Sequence, residues 1–316
     1  MASTLSYLTL SLLLPTLLLH PSPVSSAAAT AAAAAAPKAC NGQSTYCTRK
    51  YSQLTHLGAH DSPFVGPLPQ QNQNLEVTEQ LDLGIRFLQG QTHKSLDEKD
   101  PIRLCHTSCF LEDAGTLVSF LETVKTWLDA HPDEVVTLLL TNGDNLPVSR
   151  FDQAFAEAKV NEYAFVPEGS PDVLAMDAWP TLGSLIENNK RLVVFLDYGS
   201  DPKTTPYILD EFAYFFETPY GITDASFPNC SIDRPPGASP DGRMYIVNHF
   251  LDKEVLGVLI PDRLHAAKTN AASGDGSIGA QSELCESIYH RLPNVVLADF
   301  VDQGEVMAAQ DRLNGV

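Results

Sequence analysis

Short apolar runs alternate with longer segments of helical periodicity along most of this chain. The run from Val135 to Leu140 contains no charged residue, and apolar runs of this kind indicate strands buried on both faces of a sheet. The segment 117–130 instead repeats its apolar residues at helical spacing, which predicts an amphipathic helix. Strands that alternate with such helices are typical of α/β folds with a parallel sheet.

The same patterns predict the remaining elements. We predict strands at 53–59, 85–91, 102–105, 135–141, 192–197, 244–248 and 295–299. We predict helices at 75–83, 117–130, 148–158, 182–189, 207–216, 253–264, 281–291 and 305–313. A barrel and a doubly wound sheet both fit this order, but no G-x-G-x-x-G follows a predicted strand. The barrel is therefore favoured, and no cofactor is expected.

The segment 200–242 is rich in proline, aspartate and aromatic residues. Apart from the helix predicted within it, we expect a long loop over the barrel mouth. Ordered loops of this length often form lids or binding loops.

Polar side chains end two of the predicted strands. His60 and Asp61 follow the first strand and precede a Ser-Pro turn signal, and His106 follows the strand 102–105. Barrels of parallel strands carry their chemistry at the carboxyl ends of the strands. Two imidazoles on neighbouring strand ends favour general acid–base chemistry, although a turn or a small disulfide loop also accounts for a lone histidine.

Residues 1–36 are expected to precede the folded domain, which we place at 37–316. An uncharged apolar core up to Leu19 and an alanine-rich tract up to Ala36 predict a secretory signal with a low-complexity tail. We therefore expect a secreted protein. The six cysteines fit three disulfides, for which the spacing favours Cys40–Cys47, Cys105–Cys109 and Cys230–Cys285 among fifteen possible pairings. A zinc site has no supporting Cys/His spacing.

The net charge of −19 narrows the range of partners. Such a surface repels the phosphates of nucleic acids and disfavours tight docking on anionic membranes. We expect a monomer without stable membrane insertion.

Several motifs together resemble a known family. His60-Asp61-Ser62, Leu83-Gly84-Ile85-Arg86-Phe87, Leu104-Cys105-His106-Thr107 and Val295-Val296-Leu297-Ala298-Asp299-Phe300 occur in the order seen in phosphatidylinositol-specific phospholipase C X domains. From about Lys38 onward the chain is most similar to the secreted fungal branch. The resemblance implies an irregular TIM-type (β/α) barrel in one domain, a role in lipid metabolism, and a phosphodiester-containing small molecule or lipid head group as substrate.

The resemblance also implies catalytic roles. His60 would be the base, Asp299 would orient its ring, and His106 with Asp61 would supply the acid. The site departs from the family where cations are expected, since Gln89 and Gln91 replace an aspartate and a phosphate-binding arginine. Bacterial relatives carry an arginine where this chain has Asp197, and Asn142 stands where eukaryotic relatives place a calcium-binding carboxylate.

These departures leave two hypotheses open. The first is a phospholipase C-like phosphodiesterase without a bound metal, in which Lys94 is the nearest candidate cation and Gln89, Gln91, Asn142 and Asp197 contact the substrate. The second is a binding protein that kept the barrel and lost most of its activity. Losing one preorganised donor costs roughly 10²–10³ in rate. The two glutamines fit barrel-core hydrogen bonding equally well.

Overall fold

Eight parallel strands build the central sheet of the part of the chain that the structure describes. A computed structural model describes residues 39–95 and 101–316, so the predicted secretory segment 1–36 lies outside the described residues. The strands are β1 (His56–Ala59), β2 (Phe87–His93), β3 (Arg103–Cys105), β4 (Asp113–Thr116), β5 (Val136–Thr141), β6 (Leu192–Leu196), β7 (Ile208–Asp210), β8 (Phe215–Glu217), β9 (Met244–Asn248), β10 (Asp252–Val255), β11 (Val258–Pro261) and β12 (Val295–Ala298). The parallel order is β7-β6-β5-β2-β1-β12-β9-β8, which gives the predicted irregular barrel.

Helices connect most of the parallel strands. They are α1 (Val77–Leu83), α2 (Leu117–Ala130), α3 (Val148–Glu157), α4 (Leu182–Glu187), α5 (Glu211–Tyr214), α6 (Ala266–Thr269), α7 (Ile278–Tyr289) and α8 (Val306–Asn314). The prediction for α2 matches the structure because Thr116 caps it, accepting a hydrogen bond from the Ser119 N–H.

Alternate residues of each strand face two separate apolar cores. Leu138 and Leu140 of β5 pack into the core shared with the helices, together with Leu121 and Val124 of α2. Leu139 points the other way into the core inside the barrel. Both faces of the strand are therefore buried, as its unbroken apolar run predicts.

The prediction of a helix at 207–216 is wrong. Ile208-Leu209 and Phe215-Phe216 instead form two short barrel strands, β7 and β8, joined by the single helical turn α5. The apolar pairs happen to fall at helical spacing, but these apolar side chains are all buried against neighbouring strands. The segment 200–242, expected to be a long loop around one helix, therefore supplies two strands of the sheet.

The prediction of a helix at 253–264 is also wrong, because β10 and β11 form an antiparallel hairpin there. Leu256 and Gly257 at its turn both have positive φ, at 52° and 80°. Two consecutive residues of this kind form the turn that matches the twist of a two-residue hairpin.

The strand predicted at 102–105 exists as β3, but it is not one of the parallel strands. Thr92 of β2 pairs with Leu104 in an antiparallel register, and β4 continues this small extension. His106 therefore reaches the barrel mouth from a turn that leads back towards it, and not from the end of a barrel strand.

All three predicted disulfides form. Cys40 pairs with Cys47, Cys105 with Cys109, and Cys230 with Cys285. The last pair ties the loop after β8 to helix α7.

Candidate active site

His60 lies directly after β1 and is held by residues that follow the adjacent strand β12. The β1–β12 register places Ala59 beside Ala298, so Asp299 lies next to His60. His60 Nδ1 is 2.8 Å from Asp299 Oδ1, which also accepts a hydrogen bond of 3.0 Å from Asn72. The ring of Phe250 stacks on the imidazole at 3.6 Å between centroids. The imidazole is thus fixed on one nitrogen and one face.

Asp61 joins the two predicted catalytic histidines. Its side chain is fully buried, and its Oδ2 lies 3.5 Å from His60 Nε2 and 3.3 Å from His106 Nε2. Gln91 donates a hydrogen bond of 2.8 Å to the same oxygen. Asp61 has a positive φ of 48°, a conformation that aspartate tolerates better than most residues. The two imidazoles from distant parts of the chain therefore converge on one carboxylate oxygen.

A small disulfide loop presents His106. Cys105 and Cys109 close it, and the His106 N–H donates to the Glu112 carbonyl at 3.2 Å. Thr107 has a φ of 61°, and its N–H donates 3.0 Å to Gln91 Oε1. Gln91 thus connects the disulfide loop to Asp61, the carboxylate that His106 faces.

The carboxylates around His60 change its proton affinity. Burial alone would lower the pKa of His60, but Asp61 and Asp299 together raise this pKa to about 9. Burial in turn raises the pKa of Asp299, although the imidazole opposes this effect. Burial and the nearby Asp299 raise the pKa of Asp252, at the start of β10, to about 6. At neutral pH His60 is therefore an imidazolium that faces Asp61 and Asp299.

Of the residues predicted to bind substrate, some line the cavity beside His60 and others do not. Gln89 and Gln91 both line the cavity beside His60, where Gln89 accepts a hydrogen bond of 2.7 Å from the Asp61 N–H. Asp197 lines the same cavity, and burial raises its pKa to about 6. Asn142 is buried, and its amide binds the carbonyls of Leu146 and Tyr198. The Asn142 side chain therefore connects the loops that follow β5 and β6.

Lys94 does not approach the site. The residue is exposed, and its backbone N–H donates to Asp144 in the loop after β5. The cavity beside His60 has a volume of about 270 Å³, and Lys94 is not among its lining residues.

Sequence reasoning missed the far wall of this cavity. Glu211, Glu217, Asn248 and Arg234 line it together with Asp197. Glu211 directly follows β7 and Glu217 is the last residue of β8, the two short strands that were mistaken for one helix. Interpreting those apolar pairs as strands would have placed both carboxylates at strand ends. No local signal distinguishes Arg234 within its loop.

Within residues 39–95 and 101–316, no group of three or more His, Cys, Asp or Glu side chains is arranged to hold a metal ion. The helices of these residues include none that combines the length and apolarity needed to cross a bilayer.

Comparisons with known proteins agree with the motifs. The profile of the family described as PI-PLC X 1 matches residues 46–314. A PI-PLC X domain-containing protein 1 of Arthroderma benhamiae is 58% identical over 278 residues, which cover 88% of this chain and 90% of that protein. An uncharacterized secreted protein of the same fungus is 42% identical over 291 residues, covering 88% of this chain and 64% of that protein.

Solved structures show the same fold. The phosphatidylinositol-specific phospholipase C from Listeria monocytogenes superposes with a TM-score of 0.53 at 16% identity, covering 85% of this chain and 95% of that chain. The similarity at this identity concerns the fold alone. The profile match and the 58% identical relative together establish that this chain belongs to the PI-PLC X family.

Proposed function

We propose that this protein is a secreted phosphoric diester hydrolase that uses His60 and His106 for general acid–base catalysis. The observation that carries the proposal is the convergence of both Nε2 atoms on Asp61 Oδ2, within 3.5 Å. Two imidazoles that converge on one carboxylate oxygen, with His60 lining the cavity, can serve the entering and leaving oxygens of a single phosphodiester.

The reaction begins with a hydroxyl group of the substrate itself. Its oxygen forms a bond to phosphorus while His60 takes its proton. The bond from phosphorus to the leaving oxygen breaks, and His106 donates a proton to that oxygen. The products of this step are a cyclic phosphodiester and an alcohol. In a second step water attacks the cyclic phosphodiester and opens the ring, with His106 taking the proton of the water and His60 giving its proton to the released hydroxyl, so that both histidines return to their starting states. Asp299 holds His60 Nδ1 at 2.8 Å, which orients the ring and stabilises its protonated form.

The pKa of His60 imposes a condition on this chemistry. A base must be neutral before it accepts a proton, and the pKa of His60 is raised to about 9. The base step at His60 is therefore favoured as the pH rises towards 9, while the acid step needs His106 in its protonated form. Once it has taken the proton, the ring carries a positive charge beside the reacting phosphate, where Gln89 and Gln91 provide none.

Turnover of inositol and glycerol phosphodiesters by His60→Ala and His106→Ala tests the assignment. We expect each variant to lose about 10²–10⁴ of kcat, the usual contribution of a positioned acid or base. His265→Ala is the matched control, because His265 also pairs with an aspartate, Asp262 at 2.6 Å, away from the cavity. Unchanged turnover in both site variants would remove the proposal.

A catalytically weak binding protein is the second candidate. It is favoured by the single arginine of the described cavity lining, since Arg234 is already paired with Glu217 and no lysine lines this cavity. Such a protein would bind phosphodiesters without releasing an alcohol. Turnover that depends on His60 excludes it.

The proposed protein is secreted and monomeric. Three disulfides suit an oxidising compartment, and a 42% identical relative is named a secreted protein. We expect the mature protein to act as a monomer, and light scattering of purified protein measures this directly.

A further inference from the structure

A short projection beside α7 presents the one N-x-S/T sequence of the chain. Its residues are Asn229, Cys230 and Ser231, in the loop between β8 and β9. Such a triplet is the acceptor sequence for N-linked glycosylation of secreted proteins. We propose that Asn229 carries an N-linked oligosaccharide, which is transferred to it before Cys230 pairs with Cys285. The inference rests on the proposed secretion and not on the proposed hydrolysis.

Two buried side chains hold the projection in place. Phe227 is buried, and its ring centroid lies 4.1 Å from that of His249. Cys230 is also buried, and its disulfide joins it to α7. Asn229 lies between these two anchors and is exposed, and Ser231 directly after them is exposed as well. The folded protein therefore presents the acceptor side chain to solvent at a fixed place.

The side-chain groups that define the acceptor are free in the fold. Asn229 Oδ1 accepts a hydrogen bond of 2.8 Å from the Ser231 N–H two residues on, which forms an Asx turn. Within residues 39–95 and 101–316, neither Asn229 Nδ2 nor Ser231 Oγ has a hydrogen-bond partner. The turn uses only the oxygen of the amide, so it persists when the nitrogen carries a sugar. A glycan on Asn229 therefore breaks no hydrogen bond of the folded protein.

The transfer is a substitution at the first sugar of a lipid-linked diphosphate oligosaccharide. Asn229 Nδ2 forms a bond to C1 of this sugar and gives up one of its two protons to solvent. The bond from C1 to the diphosphate oxygen breaks, and the lipid diphosphate leaves with the bonding electron pair. The oligosaccharide donor is the one co-reactant, and the linked nitrogen keeps one N–H.

The Cys230–Cys285 disulfide sets the order of events. The Tyr289 hydroxyl donates 2.5 Å to the Cys230 carbonyl, and Gln281 donates 3.2 Å to the Asn229 carbonyl, so α7 covers one side of the acceptor backbone. A transferase must accommodate this backbone as well as the side chain. Cys285 is synthesised 55 residues after Cys230, which takes roughly 3–10 s at about 5–20 residues per second. The acceptor is therefore open during synthesis and partly covered afterwards.

The position of the glycan leaves the proposed active site accessible. Asn229 is not among the residues that line the cavity beside His60. Removal of the sugar should therefore leave kcat for phosphodiesters unchanged.

Mass analysis of the full chain, secreted by a eukaryotic host, before and after peptide N-glycosidase treatment tests the site. We expect one downward step in mass for the parent. Asn229→Asp keeps an oxygen that accepts from the Ser231 N–H but lacks the amide nitrogen, so it should fold and lose the step. Ser231→Ala should lose the step as well, whereas Ser231→Thr keeps a hydroxyl and should retain it.

The matched control is Asn145→Asp, because Asn145 is exposed but is followed by Leu146 and Pro147, so the step should persist. Unmodified parent protein in the medium, or a mass step that persists in Asn229→Asp, overturns the site and leaves the proposed secretion standing. A parent chain retained inside the cells without the sugar overturns both.

Cys285→Ser tests the proposed order of events, because it leaves the acceptor uncovered. The fraction of chains that carry the sugar, counted in cells and medium together, should equal or exceed that of the parent. Cys47→Ser is the control, since it opens a different disulfide and should leave this fraction unchanged. A lower fraction in Cys285→Ser alone would show that the disulfide-bonded turn is the acceptor, and would overturn the order.

Discussion

At the scale of single residues, the site depends on the carboxylates that surround His60. Asp61 and Asp299 contact its two ring nitrogens at 3.5 and 2.8 Å, and burial strengthens their effect on its protonation. The sequence places the imidazole and both carboxylates next to strand ends. The shared use of Asp61 by His60 and His106 depends on the folding of the disulfide loop.

Replacing Asp299 by asparagine should lower the pKa of His60. The ring would lose one nearby negative charge, and its pKa should fall from about 9 by roughly one to three pH units. NMR titration of the His60 ring measures this, and the rising limb of kcat/KM should move to lower pH with it. Asp262→Asn, which affects only the remote His265 pair, should leave the His60 titration unchanged.

The same pKa has a consequence for folding stability. An unfolded histidine has a pKa of about 6.5, so the folded state gains from protonated His60 below that pH. This contribution is lost as the pH rises through about 9. Urea unfolding of parent and Asp299→Asn protein should therefore differ more at pH 6 than at pH 10, and an equal difference at both values would contradict the assignment.

Gly58, two residues before His60, is required by close packing inside the barrel. A Cβ at this position would lie 2.7 Å from Leu297 Cδ2 and 3.1 Å from Phe87 Cδ1. We expect Gly58→Ala to destabilise the protein by about 1–3 kcal/mol in urea unfolding. Gly143→Ala is the control, since nothing lies within 4 Å of its Cβ position, and an equal effect in both would refute the packing argument.

At the scale of elements, short connections decide where the functional groups lie. The turn between β3 and β4 brings His106 to Asp61, and the single turn α5 places Glu211 close before β8. Both connections are too short for helical or strand periodicity to reveal them. The hairpin β10–β11 similarly depends on the backbone conformation of Leu256 and Gly257.

The Cys105–Cys109 disulfide should matter for activity more than for stability. It closes a loop of sequence separation 4, and closing so short a loop removes little entropy from the unfolded chain. Cys105→Ser with Cys109→Ser would free the His106 turn, and a small misplacement of a catalytic group can cost about 10² in rate.

The matched control for this experiment is Cys40→Ser with Cys47→Ser, which opens a loop of similar separation, 7 residues, near the N-terminal end of the domain. We expect this pair of substitutions to leave kcat unchanged. Equal loss of kcat in the two double variants would show that unfolding, and not release of His106, is the cause.

At the scale of the whole molecule, the net charge of −19 governs approach to charged surfaces. At low ionic strength the protein should be retained less on vesicles of anionic lipid than on vesicles of zwitterionic lipid. Flotation at about 0.01 M and 0.15 M salt measures this, since salt shortens the range of repulsion from about 30 Å to about 8 Å. Stronger retention on anionic vesicles at low salt would contradict the expectation.

The amino-acid sequence by itself determined the alternation of strands and helices, the three disulfides, and the position of His60, Asp61 and Asp299 at strand ends. The elements and the strand-end positions are encoded locally, by apolar periodicity, and the two short-range disulfides by cysteine spacing. The pairing of Cys230 with Cys285, 55 residues apart, follows only because no other cysteines remain. Only the tertiary structure decided that 208–217 adds two strands, that His106 approaches from an antiparallel turn, and that Glu217 and Arg234 form a cavity wall. The physical reason is that three-residue strands and long loops are stabilised by distant partners, whose identity no local pattern contains.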